Sequence, residues 1–209
     1  MKEEYRTVLQ AAEAELIEKR SRFIATVKPI HTETEAIEVL ERLKKQYWDA
    51  RHNVYAYVLE ENNIQRYSDD GEPAGTAGVP VLDMIKKEGL SNLIVVVTRY
   101  FGGILLGTGG LVHAYSKSAK MGIEAAKPIV MALCREILIN CDYSLLGKIQ
   151  NQVLERGFKV GDTTYADDVR ISVLVPVSCV KIFVDELIDA TNGKIKITEG
   201  ETKYSLREE

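Results

Sequence analysis

Cysteine is scarce in this sequence, and its spacing supports no covalent framework. The 209 residues include three cysteines, Cys134, Cys141 and Cys179, an odd number without CxxC spacing. Zinc sites and disulfide scaffolds need paired or closely spaced thiols, so neither is predicted. We interpret the three thiols as small buried hydrophobes and predict neither a metal nor a cofactor.

Long apolar runs are also missing. No stretch of about 18 apolar residues is present, which is the length that a helix needs to cross a bilayer. The start, MKEEYRTVLQ, lacks the basic and then apolar order of a secretory signal. We therefore expect a cytoplasmic protein with no membrane partner.

Positive charge is not in excess. Lysine and arginine total 27 against 31 acidic residues, a net charge of -4. Proteins that coat nucleic acid nonspecifically are generally basic, so this class is disfavoured, while a local basic patch stays open. With 45% hydrophobic and 28% charged residues, the chain has the composition of a globular protein with one large or two modest domains.

Hydrophobic spacing in the first half predicts strands mixed with helices. Residues 5–30 alternate apolar and polar side chains, with a turn at EKRS, and NVYAYVLE begins a second hairpin. Thr32 and Glu35 have the spacing of a helix capping box. The aliphatic run in NLIVVVTRY has no alternation, which predicts a well-buried central strand. A long helix is predicted to begin near Thr108.

Pro128 marks the predicted boundary between two domains, over residues 1–128 and 129–209, because proline cannot continue a helix. Beyond it the pattern reads βαββαβ, the order of a ferredoxin-like domain. The predicted fold class is α+β.

The stretch SDDGEPAGTAGVP, residues 68–80, is rich in carboxylates and glycine, and we call it the acidic motif. A calcium loop with Gly71 at its sixth position would place Arg66 first and Ala77 twelfth, where oxygen ligands are required. A calcium loop is therefore excluded.

Two interpretations of the acidic motif remain open. Asp69, Asp70 and Glu72 could form an acid and base pair, which needs carboxylates in unlike environments. Asp-Gly and Glu-Pro are also ordinary turn formers, and carboxylates favour the N-terminus of a following helix.

FGGILLGTGG, which we call the glycine-rich segment, has a comparable ambiguity. Glycines at a helix N-terminus let backbone N–H groups approach an anion, but they also permit tight turns and close packing. The segment has no Gly-Lys-Ser/Thr, so it is not a P-loop. The candidate anion-binding residues are Gly102, Gly103, Gly107, Thr108, Gly109 and Gly110.

Two histidines and one arginine complete the candidate chemistry. His52 and His113 are candidates for a general base or a phosphate contact, with a hydrogen-bonded structural histidine as the alternative. Arg99 and Tyr100 end the buried strand, where open sheets often bind ligands, yet Arg99 could equally pair with a loop carboxylate such as Asp69 or Asp70.

Three segments together resemble the IMPACT/YigZ family: ARHNVYAYVL, SDDGEPAGTAGVPVLDMI and VVVTRYFGGILLGTGGLVHAYSKSA. The resemblance extends over nearly the whole chain. It implies a ribosomal protein S5 domain-2-like fold to about residue 128 and a ferredoxin-like domain after it. This pair of folds is similar to the last two domains of translation elongation factor G.

The resemblance also implies a function in translational control. Eukaryotic relatives bind the activator of a stress-responsive kinase of the translation machinery, and bacterial members have been connected with nucleic-acid or ribosome binding. We therefore expect a noncatalytic translation regulator that binds RNA, the ribosome or a ribosome-linked protein. The alternatives are a hydrolase or phosphotransferase built on the acidic motif and glycine-rich segment, and a protein-docking module. The candidate functional surface comprises Arg51, His52, Asp69, Asp70, Glu72, Thr76, Arg99, Tyr100, His113 and Tyr115.

Overall fold

The computed structural model describes residues 2–207, which divide into two compact units. The first unit is Arg6–Ile129, and the second joins the residues before it to those after it. The N-terminal residues belong to the second unit because they pair with a strand there, the N–H of Leu133 donating to the Glu3 carbonyl at 2.7 Å. The division into domains 1–128 and 129–209 stays a prediction. It did not anticipate that the residues before Arg6 belong to the second unit.

Ten strands and five α-helices make up the described chain. In chain order they are β1 (Glu4–Val8), β2 (Ala12–Glu18), β3 (Ser21–Pro29), α1 (Glu33–Gln46), β4 (His52–Leu59), β5 (Ile64–Ser68), α2 (Gly78–Lys87), β6 (Leu93–Tyr100), α3 (Gly107–Ala125), β7 (Pro128–Cys141), α4 (Tyr143–Glu155), β8 (Lys159–Tyr165), β9 (Val169–Pro176), α5 (Val180–Ala190) and β10 (Lys196–Leu206). The α+β class is confirmed.

The sheet of the first unit has the order β2-β3-β6-β4-β5, and all of its pairs are antiparallel. Its central strand β6 is covered on both faces. Val95 and Val97 belong to a core with α2 and α3, whereas Ile94 and Val96 belong to a second core with α1. Burial on both faces explains why the sequence of β6 has no alternation.

Local signals in the sequence position α1. The Thr32 hydroxyl accepts from the Glu35 N–H at 3.2 Å, so the predicted cap is confirmed. The Glu35 carboxylate accepts from the N–H of His31 at 2.6 Å, one residue before the position that a capping box uses.

The second unit has the predicted βαββαβ order, which runs from β7 to β10. Its antiparallel sheet has the order β10-β7-β9-β8, and β1 also pairs with β7. Alternate residues of β7, such as Ile137 and Ile139, form a core with Ile149 of α4 and Phe183 of α5. The helices therefore pack on one face of this sheet.

Within residues 2–207, no helix combines the length and apolar character that crossing a bilayer requires.

Close packing of α3 on β3 gives a stability prediction. A β-carbon at Gly122 would lie 2.9 Å from the side chains of Ala25 and Val27. Gly122→Ala should lower the free energy of unfolding by about 1 kcal/mol or more, because overpacking outweighs the gain in helix propensity. Chemical denaturation followed by circular dichroism measures this change.

Gly147 in α4 is the matched control, since a β-carbon added there would have no neighbouring atom within 4 Å. Gly147→Ala should stabilise its helix by about 0.5–1 kcal/mol. A Gly122→Ala variant as stable as the wild type would contradict the close packing.

Candidate functional site

The candidate site begins with three side chains in a row across the first sheet. The strand register pairs Arg99 of β6 with Phe23 of β3 on one side and with His52 of β4 on the other. Alternation along β6 places Arg99 on the same face as Val95 and Val97, which is the face that α2 and α3 cover. Arg99 is consequently 6% exposed.

Glu72 of the acidic motif neutralises this buried cation. Its Oε1 lies 2.5 Å from Nη1 of Arg99 and accepts a second hydrogen bond, at 2.8 Å, from the hydroxyl of Tyr115 in α3. The Arg99 guanidinium carbon also lies 5.4 Å from the ring centre of Phe23 and 5.7 Å from that of Phe101. Buried charges persist when they are paired and hydrogen-bonded. Arg99 is paired through Nη1, while its buried Nε has no hydrogen-bond partner among residues 2–207.

Burial raises the pKa of Tyr115 above its ordinary value, and the negative charge of Glu72 raises it further. The phenol therefore keeps its proton at neutral pH, and its O–H donates a hydrogen bond to the Glu72 carboxylate. Glu72 receives one charged and one neutral donor on the same oxygen.

His52 lies at the edge of this cluster and is half-buried. Its Nδ1 is 2.7 Å from the carbonyl oxygen of Asp70. A carbonyl only accepts, so Nδ1 carries the hydrogen. The other nitrogen, Nε2, lies 3.9 Å from Oε1 of Glu72.

Asp69 caps the helix that follows it. Its carboxylate accepts from the backbone N–H groups of Gly75 at 2.9 Å, Ala77 at 3.1 Å and Gly78 at 2.8 Å. The last two of these donors lie at the start of α2 and have no partner within the helix. The turn and cap interpretation is thus confirmed for Asp69.

Asp70 fixes the acidic motif to β4. Its Oδ2 accepts from the Asn53 N–H at 2.6 Å, and its own N–H donates to the Ser68 hydroxyl at 3.1 Å. The amine of Lys44 in α1 lies 3.7 Å from its other oxygen. The carboxylate that holds Arg99 is Glu72, and the expected alternative of Asp69 or Asp70 in that position is wrong.

The glycine-rich segment starts with a close backbone contact. The N–H of Gly102 donates to the hydroxyl of Ser21 at 3.2 Å, and a β-carbon at this position would overlap the backbone of Arg20 at 2.0 Å. Glycine is required here for packing, which is one of the two alternatives proposed. The segment then leads to α3, which begins at Gly107 after the aliphatic Leu106.

The predicted residues divide into a buried group and a surface group. Arg99, Glu72, Tyr115 and His52 lie together, and Thr76 is buried in the acidic motif with its hydroxyl donating to a backbone carbonyl. The exposed positions are Arg51, His113, Gly103, Gly107, Thr108 and Gly109. Tyr100 is intermediate, and its hydroxyl donates to Asp49 at 2.8 Å. Arg99, expected on the contact face, is instead inside the protein.

Sequence reasoning missed four residues that the structure places at or near the site. Phe23 supports Arg99, and Asn53 connects Asp70 to β6 by accepting from the Thr98 hydroxyl at 2.8 Å. Alternation in β3 and β4 could have predicted which face of the sheet Phe23 and Asn53 occupy. It could not have predicted the residues that they contact. Trp48 and Leu105 are 81% and 83% exposed, and large apolar residues are usually assigned to a core.

The buried ion pair gives the first prediction for the site. Glu72→Gln leaves the Arg99 cation without its counter-charge, so the free energy of unfolding should fall by about 3–5 kcal/mol. The double variant Glu72→Gln with Arg99→Met removes the buried charge and should recover part of that loss. Denaturation of the four proteins in the cycle measures the coupling.

The control for this cycle is the exposed pair Lys120–Glu124, whose charged atoms are 3.7 Å apart. Glu124→Gln should change stability by less than about 0.5 kcal/mol. If Glu72→Gln were as mild as Glu124→Gln, the ion pair would not hold the site together.

The raised pKa of Tyr115 predicts a loss of stability at alkaline pH. Above about pH 10 the unfolded chain releases this phenolic proton while the native state keeps it. Stability should therefore fall as pH rises, by up to about 1.4 kcal/mol per pH unit from this group. Tyr115→Phe should make that fall shallower in urea denaturation at several pH values, and an unchanged slope would argue against the buried phenol.

Comparison with known proteins places this site within a family. The Impact N-terminal domain family matches residues 19–123, and a domain of unknown function (DUF1949) matches residues 139–194. The IMPACT family member YvyE of Bacillus subtilis is 43% identical, over 96% of this chain and 93% of its own. YigZ of Escherichia coli is 32% identical, over 91% of this chain and 96% of its own.

A eukaryotic relative and a solved structure also match. Protein IMPACT of Rattus norvegicus is 35% identical, over 53% of this chain and 36% of its own length. A solved structure described as "Crystal structure of an hypothetical protein" is 30% identical, covers 96% of this chain and 99% of its own, and has a TM-score of 0.61. The chain belongs to the IMPACT family.

Proposed function

We propose that this protein is a noncatalytic, translation-associated regulator that acts by binding RNA, the ribosome or a ribosome-linked protein. Its relatives named IMPACT support a regulatory or translation-related family. The observation that carries the proposal is that the carboxylates of the acidic motif are all engaged in holding the first unit together.

Catalysis by a pair of carboxylates as general acid and base needs a carboxylate that can exchange a proton with a substrate. Asp69 already accepts three backbone N–H groups, and Asp70 accepts the N–H of Asn53. Glu72 is buried against Arg99. Because each of these carboxylates is already bound to another group of the protein, we infer that the acidic motif holds a surface in place and does not perform a reaction.

The surface that it fixes lies where β6 leads into the glycine-rich segment. We call Arg51, Tyr100, Phe101, Ile104 and Leu105 the contact surface. Leu105 is 83% and Phe101 44% exposed, and among residues 2–207 no acceptor holds the Arg51 guanidinium. Aromatic and arginine side chains with exposed apolar neighbours are typical of the centres of binding interfaces.

The buried ion pair and the contact surface are physically connected. The Arg99 guanidinium lies 5.7 Å from the centre of the Phe101 ring. A cation over a ring is attracted to it, so the ion pair restrains the position of Phe101. The partner would consequently meet a preformed surface.

Sedimentation with purified ribosomes tests this function. The wild-type protein should pellet with ribosomes through a sucrose cushion, and Leu105→Asp should lower the affinity about tenfold or more, since interface anchors are worth about 2 kcal/mol. Leu154→Asp is the matched control, because Leu154 is similarly exposed on α4. Failure of the wild type to pellet would contradict the ribosome as the partner, and equal binding by both variants would contradict the contact surface.

The second candidate function is an enzyme, and His52 is the observation that favours it. Its Nδ1–H is held by a backbone carbonyl, which leaves Nε2 as the acceptor in the neutral ring. A histidine oriented in this way is suited to act as a general base. A screen of phosphoesters and nucleotides with His52→Ala and Asp70→Ala tests it, and a turnover equal to the wild type in both variants would reject this site.

A further inference from the structure

The chain has one tryptophan, Trp48, which is 81% exposed. It lies in the turn between α1 and β4. No hydrogen bond or ring contact within residues 2–207 holds its indole. Tryptophan is highly buried on average, and this exposed indole is available to a partner outside the chain.

The turn that carries Trp48 is fixed on both sides. The N–H of Tyr47 donates to the Leu43 carbonyl at 2.8 Å, and the N–H of Ala50 donates to the Tyr47 carbonyl at 2.9 Å. The next residue, Asp49, accepts from the hydroxyl of Tyr100 at 2.8 Å. The indole is thus presented on a short turn with a fixed backbone.

The charge around Trp48 is opposite in sign to that of the whole chain. Residues 41–51 include four cations and two carboxylates, whereas the net charge of the chain is -4. The cations, which are all exposed, are Arg42, Lys44, Lys45 and Arg51. Lys44 lies 3.7 Å from Asp70, while the carboxylates in the segment are Glu41 and Asp49. Three residues of chain span at most about 11 Å, so the Cα atoms of Lys45 and Arg51 both lie within that distance of the Cα of Trp48.

These features fit a polyanion that carries flat rings. Single-stranded nucleic acid is bound by aromatic side chains on which bases stack, together with cations that contact the backbone phosphates. Lysine is depleted at protein interfaces, and the residues beside Trp48 are charged rather than apolar, so a protein partner fits less well. We propose that Trp48 stacks on a base of single-stranded RNA while Lys45 and Arg51 contact the flanking phosphates.

This inference rests on the proposed function, because the association with translation selects RNA as the source of the strand. It adds a partner chemistry and a further group of side chains around Trp48, which shares Arg51 with the contact surface. The two can fail independently, since ribosome sedimentation and oligonucleotide binding are separate measurements.

The fluorescence of Trp48 reports directly on this site, because no other tryptophan contributes. Titration with an oligoadenylate of about 12 nucleotides should quench the emission through stacking. Binding should weaken with salt, with a slope of about -0.7 in log K against log salt for each phosphate contact. An unquenched emission at low salt, or equal quenching by polyglutamate of the same length, would overturn the RNA assignment.

Variants measured by the anisotropy of a labelled oligoadenylate complete the test. Trp48→Ala should weaken binding roughly tenfold or more, whereas Trp48→Phe should keep part of the stacking. Arg51→Ala should reduce the salt slope by about 0.7. Tyr67→Ala, at a half-exposed tyrosine of β5, should bind as the wild type does.

Three further results would each support or overturn a part of the proposal. Equal binding by Trp48→Ala and the wild type would overturn the stacking site, even if the protein still pelleted with ribosomes. Tighter binding of the matching deoxyribonucleotide strand would overturn the choice of RNA. Oligonucleotide binding without any ribosome sedimentation would support the Trp48 site and contradict the ribosome as the partner in the proposed function.

Discussion

The contact between Glu72 and Arg99 holds together the part of the first unit in which the candidate site lies. One carboxylate oxygen joins the acidic motif to the end of β6 through Arg99 and to α3 through Tyr115. It also lies 3.9 Å from His52 at the start of β4. Because an isolated charge in this position would be strongly unfavourable, the segments that contribute the two partners must be placed together. The buried charge therefore specifies how loops and helix meet the sheet.

The acidic motif distributes its carboxylates over different neighbours. Asp69 binds the N-terminus of α2, and Asp70 binds the backbone of β4 and approaches Lys44 of α1. Glu72 binds β6 and α3. Three neighbouring anions would repel one another if they shared one site, but here each meets a separate donor group. Their density in the sequence reflects the number of elements that converge on this loop.

The sequence was informative where a property depends on neighbours along the chain. Uniform aliphatic character predicted that β6 is buried on both faces, and the order of patterns predicted βαββαβ in the second unit. The partner of Arg99 could not be predicted from such patterns. It depends on the path of a turn in which Asp70 and Gly71 both have positive φ, at 43° and 85°. That turn directs Asp70 toward β4 and leaves Glu72 facing the sheet.

The exposed apolar side chains could not be predicted from the sequence, for a different reason. Leucine and tryptophan are usually buried in proteins, and the hydrophobic spacing of the sequence does not indicate that Leu105 and Trp48 are exposed to water. In the proposed function, the rigidity of the structure beneath them is what would make them suitable for a partner. Phe101 in the same segment as Leu105 packs against Arg99, and the Trp48 turn is tied to Tyr100 at the end of the same strand. Binding to such fixed side chains loses less conformational entropy than binding to a mobile loop. Under the proposed function, the fixed geometry of the buried pair would contribute to recognition without contacting the partner.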